Sequence, residues 1–337
     1  MNKMLHVSFN QDSTCFACGK ENGFVVYDCD PPRERFSRLS QDQSEPSGVG
    51  IIEMLFRSNI FAIVGGGQNP KYSRNTLMIW DDFQSKCIAE LEFKAPVTGV
   101  KLRREIILVT IVDKAYLYKF VDLELIKSYD THPNPGGIAA MTVGANTVIA
   151  LPGNVLGTVI VHNHHLDSQH TITAHSNALS ALALNSNGQQ LATASERGTL
   201  IRIWDTITRD KLREFRRGLE VVSITSLTFD LDTSRLAVCS DKGTAHVFSL
   251  LQDTEKENRK SNLLYISGYL PAYFSSEWSL VSFQIPPNSI CTFSNNSVDT
   301  VYVITADGKF LKYVYNIETS SAKCMEIIVI DTLSNSN

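Results

Sequence analysis

Leu200-Ile201-Arg202-Ile203-Trp204-Asp205 reads as a short strand ending in Trp-Asp, and Leu77-Met78-Ile79-Trp80-Asp81 repeats the pattern earlier in the chain. Just before the first stands Ser195-Glu196-Arg197-Gly198-Thr199. Ser240-Asp241-Lys242-Gly243-Thr244 takes the equivalent place 45 residues later. The glycine in each segment permits a tight turn between a second and a third strand. His175 precedes the first Trp-Asp unit at the distance expected where such a unit begins.

Outward from these segments, helical periodicity is nearly absent, and short β-rich runs separated by turn residues fill the chain. They group into seven quartets. The fifth is Leu179–Asn185, Gln190–Ser195, Leu200–Asp205 and Lys211–Arg217. The sixth is Ile224–Phe229, Arg235–Ser240, Ala245–Leu250 and Trp278–Gln284, with a long insertion before its last strand. Seven four-stranded units in 337 residues give about 48 residues each, the spacing of propeller blades. The expected fold is therefore all-β: a seven-bladed propeller of WD40 type with four antiparallel strands per blade. Approximate blade limits are 1–40, 49–95, 96–132, 137–174, 175–218, 219–287 and 288–333. The first and last units each supply four strands, so the ring is expected to close by packing, without strand exchange.

The composition agrees with a folded core: 43% hydrophobic and 20% charged residues, with no apolar run long enough to span a bilayer. The N-terminus carries no signal-peptide pattern. Seven cysteines, an odd and scattered set, fit a reduced, cytoplasmic chain. Cys15 and Cys18 fall on opposite faces of one expected strand and no second pair follows, so no metal is expected. The net charge is −4, yet residues 197–217 hold seven basic and three acidic side chains, a local balance of +4. That basic island suits a specific anion and argues against nucleic acid, which calls for a domain-wide basic balance. No carboxylate pair, nucleophile–base set or phosphate loop points to an enzyme, and no cofactor is implied.

The island centres on Phe215-Arg216-Arg217-Gly218. Successive side chains on a strand face opposite ways, so adjacent arginines reach two pockets rather than one. Guanidinium groups grip phosphate bidentately and stay charged. Ser195, Arg197, Thr199 and Arg202 surround the turn before Trp204. Ser240, Lys242, Thr244 and His246 surround the equivalent turn of the next unit. Each set offers hydroxyls and a cationic or cationisable group, which suits a phosphorylated, sugar-like head group. Taken singly these residues also read as turn caps, a strand histidine and a solvated arginine pair.

With these residues in place, the chain resembles the PROPPINs, β-propellers that bind polyphosphoinositides and act in autophagy and endolysosomal traffic. The likeness rests on Phe215–Gly218. It rests also on Val64-Gly65-Gly66-Gly67-Gln68-Asn69-Pro70-Lys71 with Asn75 and Ile79-Trp80-Asp81-Asp82, and on Cys239-Ser240-Asp241-Lys242-Gly243-Thr244-Ala245-His246-Val247-Phe248. The short length looks most like the compact fungal branch named for homology to the swollen-vacuole-phenotype protein. The resemblance implies two head-group sites, for phosphatidylinositol 3-phosphate and phosphatidylinositol 3,5-bisphosphate. Site one would be Arg216, Ser195, Arg197, Thr199, Arg202, His175 and Ser176. Site two would be Arg217, Ser240, Thr244, His246 and Ser226. It also implies a membrane-inserting loop with Leu263, Leu264, Tyr265, Ile266, Tyr269, Leu270, Tyr273 and Phe274, an apolar and aromatic run suited to a bilayer interface. In the Gly65–Asp82 segment Gly66-Gly67 and Asn69-Pro70 are read as an exposed turn on blade two and, by the same resemblance, as a surface for an autophagy lipid-transfer protein. The expected role is a cytoplasmic effector or scaffold on vacuolar, endosomal or pre-autophagosomal membranes. The alternative is a WD40-type protein-interaction scaffold without lipid specificity.

Overall fold

In the computed structural model the described residues are 3–42, 45–251 and 277–330. The turn residues that punctuate the chain separate antiparallel strands, which pair with their neighbours in sequence. The first sheet is β1 (Met4–Phe9), β2 (Cys15–Lys20), β3 (Gly23–Cys29) and β4 (Pro32–Leu39). The second is β5 (Val49–Met54), β6 (Ile60–Gly65), β7 (Thr76–Asp81) and β8 (Lys86–Glu92). The third is β9 (Val97–Leu102), β10 (Ile106–Ile111), β11 (Lys114–Lys119) and β12 (Leu125–Asp130). The fourth is β13 (Ala140–Met141), β14 (Val148–Pro152), β15 (Thr158–Asn163) and β16 (Ser168–Thr173). The fifth contains β17 (Leu179–Leu184), β18 (Gln190–Ser195), β19 (Leu200–Asp205), β20 (Lys211–Arg216) and β24 (Glu277–Trp278). The sixth is β21 (Ile224–Phe229), β22 (Arg235–Ser240), β23 (Thr244–Ser249) and β25 (Val281–Gln284). The seventh is β26 (Ile290–Phe293), β27 (Thr300–Ile304), β28 (Lys309–Asn316) and β29 (Ser321–Val329). The chain is thus an all-β, seven-bladed β-propeller. Among the described residues the first and last sheets exchange no strand, as expected.

One sheet departs from the four-stranded expectation. The anticipated strand Trp278–Gln284 is divided in two. Glu277–Trp278 runs parallel to β20, with Phe215 opposite Glu277 and Arg216 opposite Trp278. Val281–Gln284 crosses to β23 and pairs with it antiparallel. The outer edge of β20 would otherwise expose backbone donors and acceptors, and β24 satisfies part of it. The arginine strand is therefore not the outermost strand of its blade.

The described residues fall into two compact units: Met1–Ile138 with Asp307–Lys309 and Ile328–Asn337, and Ala139–Ala306 with Phe310–Ile327. In the first unit, Ala62, Val64, Leu77 and Ile79 pack with Val100, Ile107 and Val109. In the second, Ala194, Ile201, Ile203 and Phe215 pack with Leu236, Val238 and Phe248. Phe215 is fully buried, and its ring stacks on Phe248 with centroids 4.8 Å apart. Burial of one such side chain stabilises the fold by about 1.5–3 kcal/mol.

Candidate functional site

Strand register assigns each arginine its side. Leu200 lies opposite Arg216, and Arg202 lies opposite both Glu214 and Thr193. Residues paired across a sheet share a face, so Arg216, Glu214, Arg202 and Thr193 look the same way. Ile201 lies opposite Phe215 and faces the other way, into the core shared with Val238 and Phe248. Arg217 continues the alternation on the Phe215 side. Its N–H donates to Thr199 O at 3.0 Å. Its Nε donates to Gly198 O at 3.0 Å, and its NH2 group donates to Glu220 O. Arg216 and Arg217 are 8% and 7% exposed, so both are set into the sheet and neither is a solvated surface charge.

On the Arg216 side, Arg202 donates from Nε to Glu214 Oε2 at 2.9 Å and from NH1 to Ala174 O at 2.6 Å. Burial opposes ionisation of Glu214, but bonds from Arg202 and Lys211 hold its carboxyl below the usual carboxylate range. Glu214 is thus the built-in counterion of Arg202. His175 Nε2 is bonded to Thr193 Oγ1 at 2.9 Å, and Trp204 Nε1 donates to the same hydroxyl at 3.0 Å. This chain of bonds ties the histidine to the Trp-Asp strand. Ser195 is buried opposite Leu179, while Arg197 and Ser176 are exposed.

On the Arg217 side, Ser240 Oγ and Thr244 Oγ1 lie 2.8 Å apart. The His246 ring stacks on Phe248, with centroids 6.1 Å apart, and its Nδ1 is 3.1 Å from Ser279 Oγ. His246 Nε2 is buried and has no hydrogen-bond partner among the described residues. An unsatisfied buried nitrogen costs about 1–3 kcal/mol, which an anion's oxygen or hydroxyl would recover. Ser226 is not brought to this side. Its Oγ accepts from Cys291 N at 3.0 Å, because a bulge between Ile224 and Ser226 turns it toward the seventh sheet.

The 45-residue offset mismatches the two turns by one residue. Ser195 and Ser240 are equivalent, standing opposite Leu179 and Ile224. Val238 pairs with His246 just as Thr193 pairs with Arg202. Arg202 and His246 therefore occupy the same place in successive blades, and the first turn is one residue longer. Thr199 sits in that turn, whereas Thr244 opens a strand. Gly198 is required where it stands: its φ is +57°, and a Cβ would meet Val222 O at 2.1 Å. Gly218, the last residue of the Phe-Arg-Arg-Gly stretch, has open space where a Cβ would stand and ordinary backbone. The fold therefore does not demand glycine there.

Beside these side chains lie others that the expected sites did not include. Glu214 could have been found, since it stands two residues before Arg216 and must share its face. Glu277, Trp278 and Ser279 could not, because only the tertiary fold carries them to β20 and β23. Residues 263–274 lie outside the described residues. In the Gly65–Asp82 segment Gly66 is buried against Gly50 and Gly48 N donates to Asn69 O at 2.9 Å, while Gln68, Asn69, Lys71, Ser73 and Arg74 are exposed. Beside it lies a cavity of about 410 Å³ lined by Phe24, Leu39, Ile63, Lys71, Tyr72 and Trp80. No group of three or more His, Cys, Asp or Glu among the described residues could hold a metal ion.

Both histidines are strongly shifted. Burial, and then the nearby Arg202, pushes His175 down to about 4. Burial, and then Arg217, does the same to His246. An unfolded imidazole takes up its proton near pH 6.5, whereas the folded ones do so only near pH 4. Protonation therefore favours the unfolded chain as pH falls through that window. Stability is expected to fall between pH 6.5 and 4 by up to about 3 kcal/mol per histidine. Thermal melts across this range check it: a variant with both His175→Gln and His246→Gln should show a flatter dependence, and an unchanged slope refutes the assignment.

Comparison with known proteins gives one consistent result. The PROPPIN family model matches residues 4–287. SVP1-like protein 2 of Pichia angusta is 39% identical over 293 residues, 84% of this chain and 81% of the relative. Autophagy-related protein 18e of Arabidopsis thaliana is 36% identical over 312 residues, 91% of this chain and 82% of the relative. The solved structure of Kluyveromyces lactis Hsv2 with its complete loop 6CD superimposes with a TM-score of 0.77 at 26% identity, covering 98% of this chain and 100% of that one.

Proposed function

The chain belongs to the PROPPIN family, and from that premise we propose that it reads two 3-phosphorylated inositol lipids through two head-group pockets divided by β20. It is a non-catalytic, phosphoinositide-binding scaffold of autophagy and vacuolar or endosomal membrane traffic, associated peripherally with those membranes. The lipids of the proposal are phosphatidylinositol 3-phosphate and phosphatidylinositol 3,5-bisphosphate. The carrying observation is that Arg216 and Arg217 point to opposite faces of one strand. Each is set into the sheet beside donors of its own: Arg202 on one side, His246 and the Ser240–Thr244 pair on the other. Arg197, Thr199, Ser195 and Ser176 complete the first pocket at its rim. The scaffold works from the cytoplasmic side, at vacuolar, endosomal and pre-autophagosomal membranes, and residues 263–274 insert apolar and aromatic side chains into the bilayer. The blade-two loop and the cavity beside Lys71, Tyr72 and Trp80 are the proposed surface for an autophagy lipid-transfer protein, for which an aromatic-lined hollow with two cations, Arg38 and Lys71, suits an apolar, acidic segment.

Vesicle flotation with phosphatidylinositol and its 3-, 4- and 3,5-phosphorylated forms tests the lipid assignment. Retention is expected on the 3- and 3,5-forms, at least about tenfold above the others. Equal retention on all four would refute the 3-phosphate preference.

A further inference from the structure

Strand register makes the two pockets comparable residue by residue. Ser195 and Ser240 hold the same place in successive blades. Counting from them, Thr193 corresponds to Val238 and Arg202 to His246. Trp204, opposite Leu191, corresponds to Phe248, opposite Leu236. On the next strand outward Glu214 stands opposite Arg202, whereas Ser282 stands opposite His246.

These differences all run one way. The first pocket has a polar floor: Thr193 is fully buried, and its hydroxyl is bonded to His175 and to the Trp204 indole. At the same places the second pocket has Val238 and Phe248, fully buried side chains with no polar group. Charge differs in the same sense. Arg202 and Lys211 both donate to Glu214 Oε2, at 2.9 and 3.1 Å, and Arg216 shares their face, so three cations stand against one carboxylate. On the other side the Glu220 carboxylate acts on Arg217, whose Nε and NH2 group are already bonded to Gly198 O and Glu220 O. His246 adds no charge at neutral pH, because burial and then Arg217 push its ring down to about 4. The turns add one acid and one base to each side, Glu196 with Arg197 and Asp241 with Lys242, and leave the contrast unchanged. A phosphate monoester carries about −1.5 to −2 near neutral pH, so a second one on the same ring calls for a second cation. Arg202 supplies it in the first pocket, and nothing at the corresponding place supplies it in the second.

Resting on the reading of two lipid head-group pockets, we propose that the pockets differ in specificity. The Arg216 pocket selects the 3,5-bisphosphate over the 3-phosphate, and the Arg217 pocket makes no such distinction. Arg202 and His246, equivalent in register and different in charge, set the difference.

The test titrates water-soluble dibutanoyl phosphatidylinositol 3-phosphate and 3,5-bisphosphate into the full-length chain with one pocket disabled at a time. Arg217→Thr keeps the first pocket, and is expected to bind the 3,5-bisphosphate about tenfold more tightly than the 3-phosphate. Arg216→Thr keeps the second, and is expected to bind the two within about twofold of each other. Adding Arg202→His to the Arg217→Thr chain should bring its ratio below about threefold, and adding His246→Arg to the Arg216→Thr chain should raise its ratio above about fivefold. Thermal melts verify folding, and Arg202→Gln, with the same expectation, serves if Arg202→His does not fold. Equal ratios in the Arg217→Thr and Arg216→Thr chains overturn the proposal. So does a larger ratio in the Arg216→Thr chain, or a first-pocket ratio that replacing Arg202 leaves unchanged. An unaltered chain that binds neither compound overturns the lipid reading itself, an outcome distinct from these.

Discussion

Replacing Arg216 and Arg217 together by Thr is expected to abolish retention on vesicles carrying 3-phosphorylated inositol lipids, while either single replacement only weakens it. In the two-pocket proposal Arg216, at the end of β20, and Arg217, just after it, serve opposite sides, so a single change leaves one pocket intact. Two weak sites on one rigid rim gain about 10²–10⁴ in avidity over either alone, and a single loss forfeits that gain. The double change removes the monovalent remainder as well. Arg217 also donates to Gly198 O and Glu220 O, so its loss leaves those carbonyls without that donor. The control is a pair of Lys substitutions, which keep the charge but lose the planar fork, with circular dichroism to verify folding. Flotation of the folded double Thr variant at the level of the unaltered chain would sink the site assignment.

The second large effect concerns the residue that precedes them. Phe215→Ala is expected to destabilise the chain by about 3–5 kcal/mol, the usual cost of deleting a fully buried aromatic ring. Phe215 has no exposed surface and stacks on Phe248, which in turn stacks on His246. A cavity there loosens the contact that keeps β20 against the sixth blade, and with it the Arg217 side of the site. Phe215→Leu, which refills much of the volume, should cost about 1–1.5 kcal/mol. Chemical denaturation measures both. A loss below about 1 kcal/mol for Phe215→Ala would show that the strand is held by other contacts.

The anatomy of the fold was legible because its signals are local. Strand-forming runs, turn glycines such as Gly198, and the Trp-Asp endings of β7 and β19 each depend on a few consecutive residues. Separation of Arg216 from Arg217 was legible for the same reason, since a period of two follows from extended backbone. The same rule, applied one step further, brings Glu214 to the Arg216 face as its counterion. Where the reading went astray, register or a distant segment decided. Spacing by 45 residues equates Thr199 with Thr244, whereas the strand pairing, which does make Arg202 the counterpart of His246, leaves Thr199 in a turn that is one residue longer. A bulge in β21 sends Ser226 to Cys291, away from Arg217.

The sequence alone therefore determined a seven-bladed propeller with a divided pair of arginines, because strand propensity, turn chemistry and side-chain alternation are properties of short stretches. Only the tertiary structure decided what each arginine meets. Bulges and turn lengths shift register by single residues without changing the pattern of runs. The addition of Glu277 and Trp278 to β20 joins positions more than sixty residues apart, a pairing selected by the exposed edge of the strand and the charge of Arg213.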